Sequence, residues 1–257
     1  MKKILVLCAA FVVLTACNNN ELETLQGKEY GTVTDVDGNV YPTVKIGDQV
    51  WMAADLRTTR YADGTEIPLA PELYVTATYP DSYKDGAQRY ERDKTEFPNV
   101  GIYYNWAALT RAKDGQSPSP TATDKTQGPC PKGWRVPSMA DWQVLINNLG
   151  GMKVAGGNLK ALTDWQAPNT GATNSSLLNL LPVGQYLFTQ QMKDSGRVDA
   201  FDQYGYYGIY WAADEGNTWI GKGVYLHYNT AELYTIDEAK TAGICLRCIM
   251  EDALNEN

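Results

Sequence analysis

The sequence predicts an α+β fold dominated by antiparallel strands, with one well-formed helix and long irregular loops. Three observations carry this. Short apolar–polar alternations recur along the chain, separated by Gly, Asp and Asn turns. One segment, about residues 138–149, has the three- and four-residue apolar spacing of an amphipathic helix and runs into a glycine pair. Two stretches, 69–98 and 112–128, are rich in Pro, Ser, Thr, Tyr, Gly or charge and carry no period, so they read as loops.

The chain opens before the fold does. Met1-Lys2-Lys3 is basic, Ile4 to Val13 is apolar, and Leu14-Thr15-Ala16-Cys17 is followed by polar Asn18-Asn19-Asn20. That order is a secretory signal. The apolar run falls short of the roughly 20 residues a spanning helix needs. The closing tetrad resembles the bacterial lipoprotein cleavage box, in which the cysteine becomes the lipid-carrying first residue. Residues 1–16 are therefore expected to be removed and Cys17 lipidated. Multiple acyl chains would hold it on a membrane, where one chain binds only marginally. The expected organisation is a lipidated Cys and tether over 17–29, one domain over 30–250, and a tail over 251–257. The expected location is outside the cytoplasm, anchored to the bacterial outer membrane.

Within the domain, Gly31 to Tyr41 reads as two strands around the turn Asp37-Gly38. Thr43–Ile46 and Gln49–Met52 flank Gly47-Asp48, which completes a three-strand meander. Tyr61 to Ile67 turns again at Asp63-Gly64. Val100 to Leu109 reads as an apolar strand entering a buried turn. In the helix, Ser138 is the N-cap, Asp141 takes the acid position of a capping box, and Trp142, Leu145, Ile146 and Leu149 share a face. Gly150-Gly151 end it. Gly157 to Leu162 adds a short turn. Leu178–Tyr186, Tyr206–Ala212, Gly223–Tyr228 and Ala242–Met250 read as strands. No internal repeat or second domain boundary is visible.

The formal net charge is −8. Loss of Lys2 and Lys3 with the signal leaves 20 of the 22 basic residues against 30 acidic ones. Nucleic acid and anionic membrane surfaces are poor partners for such a chain; a polysaccharide or a protein is compatible. Phe numbers 4 while Tyr numbers 17 and Trp 7, a bias toward rings with a polar tip that suit wet binding surfaces as well as cores.

Of five cysteines, Cys8 leaves with the signal and Cys17 carries lipid, so Cys130, Cys245 and Cys248 remain. Cys245 and Cys248 are three apart in a strand-like stretch, and their side chains are expected on opposite faces. One of them should pair with Cys130 in an oxidising compartment. Cys248 is the first choice, with Cys245 left as a small buried apolar side chain. Zinc binding by Cys130, Cys245, Cys248 and His227 is the alternative, since the ligand count is right.

Several motifs together resemble the Fibrobacter succinogenes major paralogous domain. They are Asp37-Gly-Asn-Val-Tyr41, Val44-Lys-Ile-Gly47, Gln49-Val-Trp-Met52, Leu56-Arg-Thr-Thr-Arg-Tyr61 and Asp63-Gly-Thr65 at the start. Gly101-Ile-Tyr-Tyr-Asn-Trp106, Cys130-Pro-Lys-Gly-Trp-Arg-Val-Pro137 and Asp141-Trp142 form the middle. Leu181-Pro-Val-Gly184, Tyr210-Trp211 and Leu246-Arg-Cys248 form the end. The resemblance runs from about Tyr30 to Met250. It implies a C-type-lectin-like fold in which the first and last strands lie together, a Cys130–Cys248 bridge, and long loops at one end. It implies no particular activity. The chain departs from the family at Ala212-Ala-Asp-Glu215, where Ser-Ser-Thr-Glu is usual, at Cys245, where a small polar residue is usual, and in a longer stretch between Leu187 and Gln203.

No Ser-His-Asp set, phosphate-cradling glycine loop or His-Glu zinc motif is present. His227 is the single histidine, in the alternating Val224–Tyr228, and reads as a surface or pocket-lining residue. A non-catalytic binding domain is the expectation, ahead of an exported enzyme built on an unidentified carboxylate pair. No metal is assigned. Calcium is the one cofactor kept open, with Asp214, Glu215 and Asn217 as its candidate ligands. Asp35, Asp37 and Asn39 also alternate oxygens, but a hairpin turn explains them. Tyr204, Tyr206, Tyr207, Tyr210 and Trp211 cluster around Gly205 and Gly208. With Asp214, Glu215, Asn217 and Trp219, they are the expected ligand-binding set, and Tyr225 extends it. The expected ligand is a carbohydrate or an envelope or surface protein.

Overall fold

The computed structural model describes residues 26–76, 86–111, 126–197 and 199–251. The signal segment, Cys17, most of the tether, the end of the tail and residues 112–125 of the second loop lie outside the described residues.

Strand β1 (Lys28–Thr34) pairs antiparallel with β2 (Val40–Ile46), and β2 with β3 (Gln49–Met52). The first turn works through Asp35, whose carboxylate accepts from the Asp37 and Asn39 backbone N–H groups at 2.9 Å, while Gly38 takes φ +85°. Short strands β4 (Arg89–Tyr90) and β5 (Tyr103–Tyr104) pair with each other. Strand β6 (Trp134–Arg135) joins β12 (Ile249–Met250), which in turn pairs with β3, giving a five-stranded sheet of order β1-β2-β3-β12-β6. The first and last strands of the domain thus share one sheet. Strands β7 (Gln185–Tyr186) and β8 (Phe201–Asp202) form a second two-stranded pair. Strands β9 (Tyr207–Glu215), β10 (Ile220–His227) and β11 (Leu233–Ala239) form a meander of order β11-β10-β9. The fold is strand-dominated α+β with antiparallel sheets, as expected.

The helix from the sequence is present as α2 (Met139–Asn148). Ser138 and Asp141 form the reciprocal capping box, and Trp142, Leu145 and Ile146 are buried. Arg135 grips the Asp141 carboxylate with two nitrogens, at 2.5 and 2.9 Å. Three further helices differ from expectation. The buried turn after Tyr104 is a helix, α1 (Trp106–Thr110), capped by Asn105, whose side chain accepts from the Ala108 N–H at 3.0 Å. Five residues are too few to show a helical period. The short turn at 157–162 is instead the end of α3 (Met152–Leu159), which holds two glycines that disfavour a helix. Tertiary packing explains them: a Cβ on Gly156 would lie 2.4 Å from the Glu232 carbonyl oxygen, and one on Gly157 2.2 Å from that of Gly171. The glycines let α3 seat against the backbone leading into β11. Helix α4 (Gln190–Asp194) is capped by Thr189 within the long 187–203 stretch.

Two expected strands are mostly irregular. In 178–186 only β7 is a strand, and in 242–250 only β12; residues 243–245 make single bridges to Tyr186, Tyr104 and Tyr210. Arg247 holds the start of the first of these segments. It is fully buried, donates through Nε to Asp55 at 2.6 Å, and spends its other nitrogens on the carbonyls of Met52, Leu178 and Asn179. The Leu178 and Asn179 carbonyls are thus spent on a buried guanidinium and not on a neighbouring strand.

The core forms two clusters. One gathers Trp51, Trp142, Leu145, Tyr210, Val224 and Cys245; the other Met52, Tyr104, Trp106, Trp134, Trp211 and Leu246. Cys130 is bonded to Cys248 within the second cluster, and Cys245 is a free, buried thiol in the first. The two neighbouring cysteines therefore do face opposite ways. The disulfide removes the zinc alternative, since a bridged sulfur is not a thiolate ligand.

Candidate functional site

The β9–β10–β11 meander assigns its side chains to two faces by alternation. Tyr210, Ala212, Val224, Leu226 and Leu233 point into the first core cluster. The opposite face carries Trp211, Ile209 and Tyr207 on β9, Gly221, Gly223, Tyr225 and His227 on β10, and Tyr234 and Ile236 on β11. One end of this face is closed by Trp106 of α1, which meets Trp211 edge-on at 5.3 Å. Gly221 makes room: a Cβ there would lie 2.4 Å from the Trp106 ring.

The other end is a row of half-buried rings. Tyr225 and Tyr234 are directly paired across the strands and stack at 4.9 Å and 18°. Tyr207 is paired with His227, with ring centroids 4.4 Å apart, and lies 6.1 Å from Tyr225. On the opposite face, at the strand ends, Tyr228 packs against the first core cluster and meets Tyr206 edge-on at 5.4 Å; its ring also lies 4.6 Å from that of its chain neighbour His227. Tyr206 is 45% exposed. The Nδ1 of His227 hydrogen-bonds the Asn229 side chain, and its carbonyl accepts from the buried Lys160 ammonium. Burial lowers the Lys160 pKa to about 8. Lys160 also donates to the Thr170 and Thr230 carbonyls, so it ties the turn after β10 in place beneath the rings.

The residues expected from sequence to bind ligand separate into five places. Tyr207 joins the half-open row, and Tyr206 stands with Tyr228 on the opposite face. Tyr204 stands apart, edge-on to Phe97 at 4.7 Å and under the Arg92 guanidinium. Tyr210 and Trp211 are 0% exposed, with Tyr210 bonded to both backbone groups of Leu181 and the Trp211 indole donating to the Tyr104 carbonyl at 2.8 Å. A fully enclosed ring offers no face to a ligand, so these two are core. Asp214, Glu215 and Asn217 are not gathered around a common point. Asp214 accepts from the Met139 N–H at 2.6 Å, at the start of α2; Glu215 pairs with Lys240; Asn217 accepts from the Trp219 and Ile220 N–H groups at 2.8 and 3.1 Å. Trp219 is half-buried beside that turn. Among the described residues, no group of three or more His, Cys, Asp or Glu is placed to hold a metal.

The first hairpin spends its oxygens the same way. Asp37 accepts from Thr58, Thr59 and Arg60. Partial burial pushes its carboxyl up, but those hydrogen bonds outweigh it and hold the pKa at about 2.

Sequence reasoning left Tyr234 out of the row and placed His227 only generally. The alternation of Tyr225 with His227 was available as a signal. So was Leu-Tyr-Thr-Ile over 233–236, which reads as a strand once the acidic pair after it is taken as edge protection.

The comparisons with curated proteins and with solved structures returned no match. The sequence profile of the Fibrobacter succinogenes major domain matches residues 44–250, from β2 to the last strand, and the chain belongs to that family.

Proposed function

We propose that this protein is an exported, lipid-anchored binding module of the cell envelope. Cys17 carries the anchor, and the domain is C-type-lectin-like and performs no chemistry. The observation that carries the binding role is the half-open row His227, Tyr207, Tyr225 and Tyr234. Tyrosine joins an apolar ring to a hydroxyl, which matches the C–H and O–H surfaces of a sugar. The acidic chain disfavours anionic polymers, so a neutral carbohydrate chain is the first ligand class. A second reading, an envelope protein partner, draws on the Tyr225–Tyr234 stack. Rings stacked on each other turn edges and hydroxyls outward, as in tyrosine-rich protein-binding surfaces.

The test is a glycan and polysaccharide array probed with the full chain, with calcium and with EDTA. Saturable binding that disappears in Tyr207→Ala and Tyr225→Ala, and that is indifferent to EDTA, is the expected result. Binding that both variants retain would sink the assignment to this face. A negative array together with a co-purifying envelope partner, lost in the same variants, would establish the protein reading.

A further inference from the structure

A cavity of about 360 Å³ lies among β4, β7, β8 and the loop over 69–73, and the tyrosine row contributes nothing to it. Its volume falls within the roughly 300–1,000 Å³ of ordinary small-molecule sites. Exposure sorts its lining. Tyr90, Tyr186 and Ala200 are buried and form the floor. Leu69 is 53% exposed and, with exposed Pro71, stands at the mouth. Backbone bonds hold the loop wall in shape. The Ala70 N–H donates to the Arg89 carbonyl at 2.9 Å, the Tyr74 N–H to that of Pro71 at 3.1 Å, and the Thr76 N–H to that of Phe188 at 2.8 Å.

The lining is carbon and carboxylate, with little between. No Ser, Thr, Asn or Gln lines it among the described residues. Its two phenol hydroxyls are engaged elsewhere: Tyr186 donates to the Tyr74 carbonyl at 2.9 Å, and Tyr90 reaches the Gln88 side chain and the Thr241 carbonyl at 3.1 and 3.3 Å. A sugar would find few neutral partners for its hydroxyls here. The charged groups are all of one sign. Glu72, Glu91 and Asp199 line the cavity, and among the described residues no Lys, Arg or His does. Arg89 pairs with Glu91 at 2.9 Å. Glu72 and Asp199 are exposed, and neither has an ion pair among the described residues. The acids are not gathered closely enough to hold a metal. The complement to this cavity is therefore a cation that carries its own hydrocarbon.

We propose that the cavity binds a small organic ammonium ion. The hydrocarbon body lies against Leu73, Phe201 and the floor, where Tyr90 and Tyr186 stack at 4.0 Å, and the ammonium faces the Glu72 and Asp199 carboxylates at the mouth. The proposal does not depend on the tyrosine row.

The full chain is titrated by calorimetry and ligand-observed NMR with phenethylamine at neutral pH, where it is an ammonium ion. Phenethyl alcohol and 3-phenylpropionate keep the ring and change the charge. Saturable binding of the amine is expected, about fivefold tighter than the alcohol, as two exposed carboxylates allow, with the carboxylate weakest. Hexylamine should bind more tightly than butylamine, by up to about fourfold for each methylene buried. Glu72→Gln combined with Asp199→Asn should weaken the amine to the level of the alcohol and leave the alcohol unaffected. Asparagine keeps the side-chain oxygen that accepts from the Phe201 N–H at 2.8 Å, so the turn is retained. Glu29→Gln, which removes an exposed acid on β1 outside the cavity, should change nothing. The proposal is overturned by no saturable binding of the amine, by equal binding of the alcohol or the carboxylate, or by butylamine matching hexylamine. It is equally overturned by an amine preference that survives the double substitution or falls as far in Glu29→Gln.

Discussion

On one face of the β9–β10–β11 meander, the end at Trp211 and Gly221 is sealed while the end at Tyr207, Tyr225 and Tyr234 is half-open. The strands are the same, the side is the same, and both ends are aromatic. What differs is the element across from them. Trp106, brought in by the five-residue helix α1, fills the space over Gly221 and Trp211. The tyrosines at the other end have mainly one another. Burial here follows the opposing element, and residue type alone does not reveal it. A glycine in the strand is the mark of the sealed end, because the tryptophan needs its missing Cβ.

The difference can be broken at the sealed end with large effect. The Cys130–Cys248 bridge sits in the same core cluster and spans a sequence separation of 118 residues. A Cys130→Ala, Cys248→Ala double variant should lose up to about 4–5 kcal/mol in urea unfolding, the chain-entropy figure for a loop of this size. Trp106→Ala should cost about 3–5 kcal/mol by the same measurement, as large buried rings do. A loss under about 1 kcal/mol would mean that α1 does not close the sheet. Tyr225→Ala at the open end should cost much less. It removes one stacked pair, worth about 0.5–1.5 kcal/mol, and a partly exposed ring. If it destabilised as much as Trp106→Ala, the row would be core and not a binding surface.

The smallest effect is a pH dependence on the side of the sheet that α2 covers. Burial pushes the Asp141 carboxyl up, but the hydrogen bonds from Arg135 and Ser138 outweigh it and lower its pKa. A carboxylate lowered on folding stabilises above its unfolded pKa of about 4, and that stability is lost as pH falls through the lower folded value. Asp141→Asn should therefore flatten the acid limb of the stability curve. An unchanged limb would show that the capping box does not couple to folding.

The turns at Asp37-Gly38 and Gly47-Asp48 and the capping box of α2 were readable because each is decided within a few residues of itself. The opposed directions of Cys245 and Cys248 were readable from strand parity, although the segment around them is only partly a strand. Helix α3 was hidden because its glycines argue against a helix unless the Glu232 and Gly171 carbonyls are already beside it. In the site, Tyr207 was found, while Tyr206 falls on the opposite face. Tyr210 was misplaced although parity alone puts it on the opposite face from Tyr207. Trp211 could not have been placed, since it shares the face of Tyr207 and is covered only by α1.

The sequence by itself determined the acidic surface, the hairpin turns, the capped helix and the family. These depend on composition or on chain neighbours, whose geometry is set by covalent connection and local hydrogen bonds. Only the tertiary structure decided which tyrosines stay half-open, which acidic side chains are consumed by backbone donors, and that Asp55 and Arg247, 192 residues apart, meet as a buried ion pair. Burial and pairing of that kind are set by atoms that approach only after the chain has folded, and no local pattern encodes what will stand opposite a given side chain.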